Sequence, residues 1–144
     1  MCMEIEQAVS LLKSHEKNTL AVVNRGESRV FTRRGVAPLL ELLNSEPNVL
    51  RGASVADKVT GAATAFMLVY GGAKRLHTGV ISRRAAKILS EYSIEFTADT
   101  VVENIINRTG DGFCPMELAV KDIDEPAEAV RAVVKKLDEL SGSV

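Results

Sequence analysis

Asp57 and Lys58, with Gly52 and Ser54 just ahead of them, are the residues whose types and spacing point most directly to chemistry. They stand where a long uncharged stretch begins, because residues 59–69 carry no acidic or basic side chain. If that stretch is a helix, its first turn offers free backbone N–H groups and the positive end of the helix dipole. Such a site favours an anion, with Lys58 as counter-charge and Asp57 as a proton acceptor. The simpler reading is structural: Ser54 and Asp57 have the spacing of a capping box, in which each side chain satisfies the other's backbone N–H.

Two further groups carry usable chemistry. Arg33-Arg34-Gly35 and Arg51-Gly52 each place a guanidinium beside a glycine ahead of an expected helix, the combination of bidentate cation and close backbone approach that grips phosphate. Neither matches a phosphate-binding loop or a dinucleotide fingerprint, and solvated arginines beside turn glycines are the plainer reading. Asn107, Arg108, Cys114 and Glu117 form the other group, around Gly110 and Gly112. Cys114 would open a helix, where a thiolate is stabilised, but no Cys/His pairing can be read, and a buried structural cysteine is the plainer reading. Glu117, three residues on, has the spacing of a cap.

These residues must be positioned by a series of short elements. Residues 4–15 put Ile5, Ala8, Val9, Leu11 and Leu12 at helical spacing. Residues 19–24 and 28–32 are strand-like on either side of Arg25-Gly26-Glu27 and predict an antiparallel hairpin. Helical spacing returns over residues 36–43, and residues 44–48 read as a loop. Residues 51–72 predict one central helix, capped at Ser54, buried nearly all round and stopped by Gly71-Gly72. His77 and Tyr70 are expected in the core. Residues 74–81 predict a buried strand, after which Ser82 caps a helix carrying Ala85, Ala86, Ile88 and Leu89 on one face. A short strand at residues 93–97, a helix or turn at residues 101–107, a helix from Pro115 and an amphipathic helix opened by Asp124-Glu125-Pro126 complete the order. The order predicts a three-layer α/β/α sandwich on a mixed sheet, with an antiparallel leading hairpin and parallel later strands.

Composition narrows the partners. Eighteen basic and nineteen acidic side chains give a net charge of −1, so no global field favours nucleic acid or an anionic membrane. The N-terminal residues lack a positive-then-apolar leader pattern, and the longest apolar run is about half the roughly 20 residues of a membrane span. Two cysteines, Cys2 and Cys114, make no disulfide framework. A cytoplasmic protein is expected.

The element order, together with Gly52-Ala-Ser-Val-Ala-Asp-Lys58, Leu68-Val-Tyr-Gly-Gly72 and Asn107-Arg-Thr-Gly-Asp-Gly-Phe-Cys-Pro-Met-Glu117, resembles domain-of-unknown-function family 1893 over roughly residues 5–120. That family is associated with the cytidine deaminase-like fold, and the resemblance implies one deaminase-like domain over residues 1–144, with its core at about residues 4–140. A zinc deaminase needs a His or Cys ligand followed two residues later by Glu at the start of its central helix, and Pro-Cys-x-x-Cys at the start of the next. The resemblance puts these motifs on Val55-Ala56-Asp57 and near residues 81–86, where three inner-sphere ligands are missing; only Asp57 remains as a counterpart of the shuttle carboxylate. The two histidines, His15 and His77, have no metal-ligand spacing. Zinc-dependent deamination is not expected, and no metal or cofactor is called for.

Three functions follow as expectations. The first is a zinc-free module binding a nucleotide or related phosphorylated ligand at the start of the central helix. The second is a metal-independent enzyme with Asp57 or Glu117 as general base, Lys58 or Arg108 as electrostatic stabiliser and Cys114 as nucleophile. The third is an interaction subunit that assembles as a homo-oligomer.

Overall fold

The computed structural model describes residues 3–106, 112 and 114–141. Helix α1 (Met3–Lys13) is followed by β1 (Leu20–Asn24) and β2 (Glu27–Phe31), then α2 (Ala37–Ser45) and α3 (Pro47–Leu50). Next come β3 (Ser54–Thr60), α4 (Ala62–Gly71), β4 (Arg75–Ser82), α5 (Arg83–Glu91) and β5 (Glu95–Val102), with α6 (Pro115–Ala119) and α7 (Pro126–Leu140) last. The sheet order is β2-β1-β3-β4-β5. β1 is antiparallel to both β2 and β3, while β3, β4 and β5 run parallel, giving the mixed sheet with the expected leading hairpin.

Local chemistry explains most of these elements. The hairpin turns on Arg25 and Gly26, both at positive φ, with Asn24 opposite Glu27. Two left-handed residues give the twist that joins antiparallel strands, and the expected three-residue turn is one residue shorter. Gly72, at φ 78°, ends α4 in a left-handed cap, as the double glycine predicts. Ser82 caps α5 by accepting from the Ala85 N–H at 3.1 Å. Ser82→Ala should therefore lower stability by about 1 kcal/mol in denaturant unfolding, because the freed helix N–H has no other partner among the described residues.

The main departure lies in residues 51–72. They form no single helix: residues 54–60 are a strand, and the helix begins only after Gly61, whose φ −100° and ψ −176° leave it extended. The uncharged run from Val59 onward conceals this boundary, whereas Val55, Val59 and Thr60 are β-branched residues suited to a strand. The capping box of Ser54 and Asp57 therefore does not exist. α4 itself is buried almost all round, with Phe66, Met67 and Leu68 no more than 1% exposed. Tyr70 corrects the expected core, being 53% exposed. Residues 44–48 are not merely a loop, because α3 starts at Pro47; Asn24 holds it by donating to the Val49 and Arg51 carbonyls at 3.0 and 2.7 Å. β5 extends through residues 101–102, where a helix or turn was expected.

The layers are unequal. α1 packs over β1 and β3 on one face, with Ala8 and Leu12 against Ala21, Val23 and Ala56. The other helices share the larger core on the opposite face, where α4 lies between α5 and α7. Among the described residues no helix is long and apolar enough to cross a membrane.

Candidate functional site

Three parallel strands end at one edge of the sheet, and α4 and α5 begin there. In open α/β sheets the crevice beyond the carboxyl ends of the strands is where ligands bind. Glu117 dominates this edge. Reaching across from α6, its half-buried carboxylate accepts from the Ala62 N–H at 2.8 Å and the Ala63 N–H at 3.0 Å, both in the first turn of α4. Gly61 makes room for it: a Cβ there would lie 2.6 Å from the Glu117 carboxyl carbon and from one of its oxygens. Glu117 is thus a cap, as its spacing suggested, but of α4 rather than of its own helix.

Beside Glu117 lies a crevice of about 180 Å³, lined by Ser82 and Arg84, by Glu103, Asn104 and Ile105 beyond β5, and by Leu118 and Lys121. Arg84 is structural as well as lining. It donates to the Val120 carbonyl at 2.8 Å and the Ile123 carbonyl at 2.6 Å, and its guanidinium lies 5.6 Å from the Phe66 ring centroid. These bonds fix the connection between α6 and α7 to the start of α5. Arg84, Glu103 and Asn104 were missed as site residues; the only signal for Arg84 was its place in the first turn after the Ser82 cap.

Asp57 sits near the carboxyl end of β3, opposite Leu20 and Thr78. The Thr60 hydroxyl donates to it at 3.3 Å and also lies 2.9 Å from the Thr78 hydroxyl, so Asp57 belongs to a small polar cluster inside the sheet edge. Burial pushes its carboxyl up to about 7, against hydrogen bonds from the Val59 and Lys58 N–H groups and Thr60 that favour the ionised form.

The other expected site residues divide. Lys58 is exposed and its ammonium reaches the Glu16 carbonyl in the loop after α1, away from Asp57, because neighbouring strand residues point oppositely. Gly52 and Ser54 lie at the other end of β3, where the Gly52 N–H donates to the Gly72 carbonyl at 2.7 Å. They flank the C-terminus of α4, not its N-terminus, so the expected cluster of Gly52, Ser54, Asp57 and Lys58 is not assembled. Arg34 and Gly35 leave β2 at the same edge as Asp57, since Leu20 pairs with both Phe31 and Asp57. Arg34 is exposed, and Gly35 takes φ +73° in open space. Cys114 is half-buried against the main core, and its N–H donates to the Ile105 carbonyl at 3.2 Å. Neither histidine bonds to it: His15 accepts from the Lys17 N–H, and His77 pairs with Thr97 at 2.7 Å as a half-buried, satisfied residue. Asn107 and Arg108 lie outside the described residues.

The fold and its edge crevice define a three-layer α/β domain with a small pocket at the carboxyl ends of its parallel strands. The chain belongs to the family described as Domain of unknown function (DUF1893), which it matches over residues 7–137. A crystal structure of a DUF1893 family protein from Thermotoga maritima is similar with a TM-score of 0.84 and 28% identity, covering 94% of this chain and 91% of that one. RibD from Acinetobacter baumannii is similar at a TM-score of 0.45 and 16% identity, over 90% of this chain and 38% of that one. No curated protein matches.

The strand boundary also moves the comparison with a deaminase's motif. The start of the central helix is Gly61-Ala62-Ala63, not Val55-Ala56-Asp57, and these residues carry no His, Cys or Glu. The carboxylate at that helix start comes instead from Glu117. Among the described residues no three His, Cys, Asp or Glu side chains gather in a way that could hold a metal ion.

Proposed function

We propose that this chain is a binding domain for a small molecule of about nucleobase size that presents hydrogen-bond donors, held in the edge crevice against Glu117. The observation that carries this is the seat of Glu117 on the first turn of α4. Those two N–H groups are what a phosphate would have used, and they already serve a carboxylate. The crevice therefore offers carboxylate oxygens from Glu117, and from Glu103 beyond its ion pair with Arg83, where a bare helix start would offer positive charge, with the Asn104 amide available to donate and accept. A phosphate at the α4 N-terminus, the placement first expected, would have to displace Glu117. A nucleoside-like ligand fits with its base inward and any phosphate outside, and a volume of about 180 Å³ admits one ring system rather than a whole nucleotide.

Calorimetric titration with free bases, nucleosides, nucleotides and inorganic phosphate tests this. A base or nucleoside should bind without competition from phosphate, and Asn104→Ala should weaken it at least about tenfold, equivalent to about 1.4 kcal/mol. Competition by inorganic phosphate, or no binding of any base or nucleoside at about 1 mM, overturns the proposal.

A further inference from the structure

A second, shallow and open depression lies on the opposite face of the sheet, between α1 and the β4–β5 strands, lined mostly by exposed side chains. It exists because α1 covers β1 and β3 and only borders β4, leaving Thr97 and Asp99 of β5 exposed. Its volume is about 460 Å³. One wall is a stripe of α1 in which Glu6, Ser10 and Lys13 follow at helical spacing, with Ile5 and Val9 below them. His77, Thr97 and Asp99 form the floor. The His77 ring is held there: Nδ1 is 2.7 Å from the Thr97 hydroxyl, and Nε2 is 3.8 Å from an Asp99 carboxylate oxygen.

Two charges in this groove, Glu6 and Lys13, are separated and uncommitted, whereas Asp99 lies against His77. Among the described residues neither Glu6 nor Lys13 has an ion-pair partner, although both line the same space. Their Cα atoms stand about 10 Å apart along α1, and both side chains are long enough to lean inward over Ser10. A ligand that meets Glu6 and Asp99 with a cation and Lys13 with an anion must carry both charges a few ångströms apart. We propose that this groove binds a free α-amino acid, its ammonium toward Glu6 and Asp99 and its carboxylate toward Lys13 and the Ser10 hydroxyl. Ile5 and Val9 supply apolar contact for the side chain. Pairing both charges makes the site selective, because a molecule with only one of them leaves the opposite protein charge unsatisfied.

The test is a titration of the ¹⁵N-labelled chain, followed by NMR, with common L-amino acids offered singly and with the same amino acids capped as N-acetyl amides. Free amino acids should produce saturable shifts at residues 5–13, 77, 97 and 99, with dissociation constants of about 1 mM or below, and the capped forms should produce none. Lys13→Ala and Glu6→Gln, both at exposed positions of α1 that contribute nothing to its buried face, should each weaken binding at least about tenfold. The proposal is overturned by an absence of saturable shifts at about 10 mM, by equal binding of the capped forms, by shifts confined to the edge crevice, or by wild-type affinity in Lys13→Ala.

Discussion

Asp57→Asn should make the protein more stable than its parent at pH 8 and leave the two nearly equal at pH 4. The carboxyl of Asp57 is pushed up to about 7 by burial, from an ordinary value of 3.8. Between those two values the folded protein holds a proton that the unfolded chain has released. Stability then falls as pH rises, by about 1.4 kcal/mol for each pH unit, is fully retained below the unfolded value and levels off once pH passes the folded one. Asparagine keeps the shape and an acceptor for Thr60 but cannot ionise, so its curve lacks this slope. Urea unfolding at pH 4, 6 and 8 measures it: the gap between variant and parent should widen with pH. A constant gap would mean that Asp57 is ionised in the folded protein near its ordinary value.

The second large effect concerns Gly61 and Glu117. Glu117→Ala leaves the Ala62 and Ala63 N–H groups without their acceptor at the start of the most buried helix, and should cost about 1–3 kcal/mol. Gly61→Ala should cost a similar amount, since its new Cβ would stand 2.6 Å from the carboxylate and push it off those N–H groups. The two losses have one cause and should not add. In the Glu117→Ala background, Gly61→Ala should cost only what alanine loses to glycine at an N-cap, about 0.5 kcal/mol. Denaturant unfolding of the four proteins of this cycle gives the coupling directly. Additive costs would show that Glu117 does not hold α4 in solution. The same coupling bears on the edge crevice, because a displaced Glu117 removes its principal acceptor.

Much of the fold is legible residue by residue. Arg25-Gly26 marks the hairpin, Gly71-Gly72 the end of α4, Ser82 the start of α5 and Pro126 the start of α7. Each is a short-range signal, complete within a few residues of chain. The apolar content of residues 59–69 likewise identifies the most buried segment correctly. The same run misleads about where the helix begins. Only the β-branched Val55, Val59 and Thr60 hint locally at a strand ending at Thr60, and the uncharged run hides that hint, since such a segment suits both strand and helix when neighbours cover every side.

The candidate site was legible in parts but not as an arrangement. Asp57, Glu117, Cys114, Arg34 and Gly35 do lie at the carboxyl edge of the sheet, whereas Gly52 and Ser54 lie at the other end of β3 and Lys58 turns toward α1. Misplacing one strand caused all three errors, because a helix would have gathered residues 52–58 within about two turns at its start.

By itself, then, the sequence determined the family, the mixed sheet with its leading hairpin, the local caps and stops, and the residue types available for chemistry. Only the tertiary structure decided that residues 54–60 are the central strand, because its partners β1 and β4 come from distant parts of the chain. It alone decided that Glu117 caps a helix 55 residues away, which gives the crevice its carboxylate. Propensity and capping act within a turn or two of backbone, while strand pairing and the capture of a distant carboxylate are settled when separate elements pack together.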